Sequence, residues 1–525
     1  MDESSLLTES VGQILLRQAK TRGDATALAW MDRGPGGGDG DGGGDGILRR
    51  MTYGRLAAAV NAVAHQLDHL PRGERVVVWG ANSVEWVLVE YACAARGLVL
   101  VAYNTAWTDA EASSATELVE PALVFAGSGG RAAPLLERAE RLPGAPPVRA
   151  LADLSPLVDG SVAAASDAFL DVAPGEPFLI QFTSGTTGRA KGAVLTHRAA
   201  VNSAFLRLRP TTSSADVTLN SVPFHHVGGS VFVLLGALTT GSALVVTDSF
   251  NAEESVRLLT AAQVTQLGGV PTMVERVLDR PDAAAAVSGL RMVALGGTDI
   301  SPALVRRIRD EVGAVVMVTY GQSECPLISN TAATDAPERV ATTAGQSAEE
   351  TEICIVDART GEEVPVGETG EILVRSPMVM EGYFRMPEQT AQTLRADGLL
   401  RTGDLGSFDA DGYLTIRGRL REVIIRGGEN IYPAEVEAAL GEHPDVLACA
   451  VVGLDDPHLG EQVAASVVTV GDRDPAELEA FLADRVAHFK IPRTWRFVAE
   501  LPVTASGKVR RTAVRDSMQS SIKPV

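Results

Sequence analysis

Phe182-Thr-Ser-Gly-Thr-Thr-Gly-Arg-Ala-Lys-Gly192 is the stretch on which the reading of this chain turns. Gly185, Gly188 and Gly192 let the backbone fold closely around an anion, because glycine adopts conformations that a Cβ forbids. Thr183, Ser184, Thr186 and Thr187 offer hydroxyl donors, and Lys191 adds a positive charge. The loop follows the apolar run 178–182 and precedes Val194-Leu-Thr-His197, so its context is strand, loop, then strand or helix. It is not a Walker loop. That pattern needs Gly directly before the lysine and Ser or Thr directly after it, where this chain has Ala190 and Gly192. Taken alone, the cluster fits a solvated polar loop equally well.

Outward from the loop, apolar strands alternate with helical patterns. Residues 75–79 read as a strand, 83–95 as a helix and 98–102 as a second strand, a rhythm of parallel sheets flanked by helices. The Gly/Asp tract 34–46 has nothing apolar to bury and reads as a solvated hairpin loop. Residues 217–247 carry no charged side chain and are long enough to span a bilayer. However, Pro223, two histidines, Gly228-Gly229 and Thr239-Thr240-Gly241 break the run into a short buried helix, a turn and a strand at 243–246. No membrane span is expected.

Beyond residue 404 the pattern changes. A strand, an Asp409-Ala-Asp-Gly412 turn and a strand at 413–417 lead into the charged Arg419-Leu-Arg-Glu422. A smaller α+β unit follows, with a helix at 433–440, strands at 447–452 and 463–470, and a helix at 475–486. The expected division is 1–419 and 420–525.

A chain of 525 residues is too long for one core. Its 45% hydrophobic and 21% charged residues are ordinary for a soluble globular protein. A net charge of −20 argues against nucleic acid or an anionic membrane as partner. The four cysteines lie far apart with no CxxC pair, which gives neither a disulfide framework nor zinc spacing. The start, with Asp2 and Glu3, lacks the basic and apolar regions of a secretory signal. A cytoplasmic monomer or homodimer is expected.

The string TSGTTGRAKG closely resembles the signature of the adenylate-forming superfamily, which includes acyl-CoA synthetases, peptide-synthetase adenylation domains and firefly-type luciferases. Ala190 replaces the usual proline and removes no phosphate donor. Further motifs occur in the family's order. Leu295-Gly-Gly-Thr298 resembles the glycine pair, Gly296 and Gly297, that approaches the nucleotide. Thr319-Tyr-Gly-Gln-Ser-Glu324 follows the apolar strand 314–318. The resemblance assigns Tyr320 to adenine, Ser323 to the α-phosphate and Glu324 to magnesium. Asp404, with Arg419 fifteen residues on, resembles the ribose-binding pair. Arg421 stands at the hinge, where Asp or Lys is more usual. Leu501-Pro-Val-Thr-Ala-Ser-Gly-Lys508 resembles the final motif, whose lysine drives adenylation.

The resemblance implies an α/β fold. A large N-terminal domain of layered sheets and helices, with a distorted β-barrel subdomain, is joined to a small mobile α+β C-terminal domain. The implied reaction activates a small carboxylic acid with ATP and Mg2+ to an acyl-adenylate, releases pyrophosphate, and passes the acyl group to coenzyme A. Arg426-Gly-Gly-Glu-Asn430, beside Ile431-Tyr-Pro, is most like acyl-CoA synthetases, so Gly427 and Gly428 are assigned to the coenzyme A face. Pro223-Phe-His-His-Val-Gly-Gly229 resembles the acyl-pocket stretch, with His226 as the gate and His225 packed behind it. Val227, Gly228, Gly321 and Pro326 shape the pocket. No acidic residue occurs between Asp216 and Asp248, which disfavours α-amino acids and favours an uncharged aryl or medium-length acyl group. The alternatives are another acceptor (a carrier-protein thiol, an amine or a nitrite-type nucleophile) and a non-catalytic nucleotide-binding homologue. No carrier domain is expected, because the chain stops soon after Lys508.

Overall fold

Short runs of Val, Leu and Ala, buried on both faces, build the central strands. The computed structural model describes residues 6–32, 46–127, 134–160, 167–183, 190–297, 300–471, 473–503 and 509–520. By packing, the chain forms two units: Met1–Glu352 with Val374–Leu400, and Ile353–Leu373 with Arg401–Val525.

The first unit holds two large sheets. In the seven-stranded sheet, Pro177–Thr183, Val99–Ala102, Arg75–Trp79, Leu123–Ala126 and Val148–Ala150 run parallel. Lys191–Thr196 and Gly382–Tyr383 extend it antiparallel. The helix between its first two strands in sequence, Arg75–Trp79 and Val99–Ala102, spans Val84–Arg96. The Ser83 hydroxyl accepts from Trp86 N at its start, and Gly97 at φ 65° ends it. In the nine-stranded sheet, Val315–Gln322, Met292–Gly296, Gln266–Gly269, Val217–Asn220, Ala243–Val246 and Thr26–Asp32 are parallel neighbours. Antiparallel strands close both edges.

Thr26–Asp32 pairs antiparallel with Ile47–Thr52, so the flanks of the Gly/Asp tract form a hairpin; residues 33–45 lie outside the described residues. The uncharged stretch resolves into the strand Val217–Asn220, a π-helix Gly228–Leu235, a helix Gly236–Thr240 and the strand Ala243–Val246. Among the described residues, no helix is long and apolar enough to cross a membrane.

In the second unit, a four-stranded sheet is ordered Glu352–Val356, Gly370–Arg375, Leu400–Phe408 and Leu414–Arg419. A five-stranded sheet follows, built on the pair Val446–Asp456 and Gly460–Thr469. Alternation along Val446–Asp456 gives it two buried faces. Val451 packs with Val436, Leu440, Leu478 and Leu482 from the helices Pro433–Gly441 and Pro475–Ala483. Ala450, Val452 and Leu454 pack instead with Val514 and Met518 of the helix Arg511–Gln519.

Candidate functional site

The strands leading into and out of the phosphate loop form an antiparallel pair, with Thr183 opposite Lys191 and Phe182 opposite Gly192. The open choice of strand or helix after the loop is therefore a strand. Ser184, Gly185, Thr186, Thr187 and Gly188 lie outside the described residues, as does Thr298. Gly192 is packed tightly: a Cβ there would come within 2.7 Å of the Ile180 side chain.

The motif around Tyr320 is a hairpin. Gln322 pairs with Cys325, which leaves Ser323 and Glu324 as a two-residue turn. Gly321 fits because a Cβ would collide with the Pro326 carbonyl, so close backbone approach demands this glycine whatever lies beyond. Gly296, at the end of its strand, pairs with Thr319, and Gly297 has φ 85°.

Glu324 is buried at 8% exposure. Its Oε1 accepts from the Tyr383 hydroxyl at 2.6 Å, and its backbone carbonyl accepts from Met380 N at 2.8 Å. The Lys191 ammonium lies 4.9 Å from the centre of the Tyr383 ring. One phenol thus touches both the lysine of the phosphate loop and the acid of the hairpin. Burial first, and the Glu324 charge second, raise the Tyr383 pKa, so the phenol stays protonated and donating.

Sequence reasoning missed Tyr383. The signal lay in Glu381-Gly-Tyr-Phe384, which clips onto Lys191–Thr196: Glu381 N bonds Val194 O at 2.9 Å, and Phe384 N bonds Gly192 O at 2.8 Å.

Pro223 to Gly229 is held by Asn82, whose side chain donates to Val222 O and accepts from Phe224 N at 2.7 Å. His225 is buried, and its ring lies 4.5 Å from that of His226. Burial, then the neighbouring His226, hold His225 well below the usual histidine range, so it is neutral. Gly228 faces the Val222 side chain, which a Cβ would approach to 3.2 Å. Val227 leads into the π-helix, a form common at functional sites.

In the second unit, the fifteen-residue spacing from Asp404 to Arg419 is a cross-strand pairing: the two stand opposite each other in antiparallel strands. Arg419 Nε lies 3.1 Å from Asp404 Oδ1, with Asp404 only 5% exposed. Arg421 occupies the 3-10 turn Leu420–Glu422, where burial and then Arg419 lower its pKa. Gly427 and Gly428, at φ 60° and 91°, form the two-residue turn between Ile424–Arg426 and Glu429–Ile431. A turn with two positive φ values demands this glycine pair. Lys508 lies outside the described residues, but Val503 and Val509 bridge on either side of it.

Among the described residues, no three His, Cys, Asp or Glu side chains cluster as a metal cage. Glu324 still suits magnesium, which is commonly held by one or two carboxylates plus phosphate oxygens and water.

The model of the AMP-binding enzyme family matches residues 15–384, and that of the AMP-binding enzyme C-terminal domain matches 435–508. The chain belongs to the AMP-binding enzyme family. Among its relatives is the mitochondrial medium-chain acyl-CoA ligase ACSF2 of Mus musculus, 33% identical over 99% of this chain and 89% of that protein. The indoleacetate–CoA ligase of Aromatoleum aromaticum is 36% identical over 89% and 93%. Among solved structures, ATP-bound MatB from Rhodopseudomonas palustris superposes with a TM-score of 0.85 at 28% identity, covering 98% of this chain and 100% of that one. This AMP-binding enzyme is accordingly an AMP-forming acid–thiol ligase. It uses ATP to convert a carboxylic acid to its acyl-adenylate and transfers the acyl group to coenzyme A.

Proposed function

We propose that this ligase acts on an aryl or medium-length acid and that each step has its own set of residues. A carboxylate oxygen attacks the α-phosphorus of ATP and pyrophosphate leaves. The barrier is largely repulsion between anions, so catalysis is positioning plus electrostatic stabilisation. Thr183, Ser184, Gly185, Thr186, Thr187, Gly188 and Lys191 cradle the departing phosphates. Tyr320 with Gly296, Gly297 and Thr298 borders the adenine, Ser323 meets the α-phosphate, and Asp404 with Arg419 takes the ribose. Lys508 offsets charge between the carboxylate and the α-phosphate. Glu324 would hold Mg2+, which when bound neutralises phosphate charge.

The small domain, 420–525, then turns about Arg421, withdraws Lys508 and presents Gly427 and Gly428 to the pantetheine arm. His226 gates the acid, beside Val227, Gly228, Gly321 and Pro326. Supporting this acid class are the absence of acidic residues between Asp216 and Asp248 and the substrates named for the relatives, medium-chain acids and indoleacetate. The four free cysteines suit a reducing, cytoplasmic setting.

The observation that carries the residue assignment is the buried Glu324 on its two-residue turn, joined through Tyr383 to Lys191. A pyrophosphate-release screen over aryl, cinnamoyl and fatty acids, with and without coenzyme A and with products read by mass, tests the acid class. Aryl or medium-length acids should give both pyrophosphate and thioester. Turnover confined to amino acids or very long chains would overturn the acid class.

A further inference from the structure

Arg207 is the penultimate residue of the helix His197–Leu208, and its side chain is buried, at 8% exposure. Its Nε donates to Thr319 Oγ1 at 2.9 Å, and its guanidinium carbon lies 4.8 Å from the centre of the Phe232 ring. Among the described residues, no carboxylate pairs with it. Burial alone pulls its pKa down, to about 10, so it remains a cation at neutral pH. Buried charges are ordinarily paired, and a ring face plus one hydroxyl recovers only part of the cost of desolvating a guanidinium.

Its two neighbours say where the charge is held. Thr319 directly precedes Tyr320 and Gly321, at the C-terminal end of a parallel strand. Phe232 belongs to the π-helix that continues from His226 and Val227. Ligands of open α/β sheets bind outside the carboxyl ends of the strands. Arg207 therefore lies between the two elements to which the acid pocket is assigned, with its terminal N–H donors left over.

We propose that Arg207 reads the far end of the acid: the preferred substrate carries a second hydrogen-bond-accepting oxygen, ketone or carboxylate, remote from the carboxylate that is adenylated. Such an oxygen supplies the partner that the protein withholds. A plain alkyl end leaves the guanidinium desolvated and unpaired, and sites built to hydrogen-bond a substrate atom reject analogues that lack it. The inference rests on the adenylation reading and deepens it.

The test compares pyrophosphate release from hexanoate, its penultimate ketone and hexanedioate, and from the same trio at the length of decanoate. Wild type, Arg207→Met and Arg207→Lys are assayed, with thermal melting to check folding. In wild type an oxygenated acid should exceed its plain partner about tenfold or more in kcat/KM. Arg207→Met should erase that preference while plain acids hold or gain, and Arg207→Lys should keep part of it. Whether ketone or diacid leads tells a neutral acceptor from an anionic one. Plain acids leading in wild type would overturn the inference and spare the adenylation reading, as would a Met variant that slows all acids equally. Where the Met variant does not fold, the wild-type ranking decides. No pyrophosphate from any acid sinks both.

Discussion

Glu324 in the first unit and Asp404 in the second are both buried carboxylates on antiparallel hairpins, yet their charges are met in opposite ways. Asp404 faces a guanidinium from the opposite strand, Arg419 at 3.1 Å. Glu324 receives a neutral phenol, Tyr383 at 2.6 Å, and among the described residues no cation stands within ion-pair distance of it. A carboxylate whose charge is already balanced suits neutral hydroxyls, such as those of a ribose. One whose charge is left standing attracts a cation. The type of partner, more than the depth of burial, separates the two proposed roles.

Replacing each acid by its amide tests that contrast. Glu324→Gln should lower the rate of adenylation about 100- to 1,000-fold, the scale of losing one preorganised electrostatic group, and abolish its dependence on added magnesium. Asp404→Asn should mainly raise the KM for ATP, by about tenfold, with magnesium dependence intact. Equal effects of the two substitutions on magnesium titrations would dissolve the distinction. Tyr383→Phe removes the donor to Glu324 and keeps the ring beside Lys191. About 1.5–3 kcal/mol is typical of a hydrogen bond to a charged group, so pyrophosphate release should slow at least tenfold. Unchanged turnover would make the phenol a packing group only.

Glu90 supplies a third, smaller test. It is wholly buried, receives only the Trp86 indole N–H at 3.1 Å among the described residues, and burial pushes it up to about 8. The folded state keeps a proton that the unfolded chain has released above the ordinary carboxylate range. Stability should therefore fall as pH rises from about 4.5 to about 8. Glu90→Gln should flatten that decline, so its melting temperature gains on wild type at pH 8 but not at pH 5. Parallel melting curves at both values would count against a protonated Glu90.

Much of this was legible along the chain because the signals are local. The strand at 75–79 and the helix after it announce themselves by runs of valine and by Ser83 as cap. The strand at 243–246 inside the uncharged stretch showed through its turn signal. The adenylating chemistry was legible for another reason, the order of its motifs. Gly321 is expected to shape the acid pocket, and the Pro326 carbonyl, which a Cβ there would meet, already demands a glycine at this position. Gly427 and Gly428 were read as a path for a ligand, and the turn itself already requires both. Tyr383 and Arg207 escaped notice for one physical reason: each acts through a partner far away in sequence. Glu324 is 59 residues from Tyr383, and Thr319 is 112 from Arg207. No periodicity encodes such a meeting, which exists only once the sheets have formed.

A β-bridge joins Val503 to Val509, just ahead of the helix Arg511–Gln519. Val514 and Met518 of that helix cover Ala450, Val452 and Leu454, so a chain cut before Arg511 would leave an apolar sheet face open to water and to other chains.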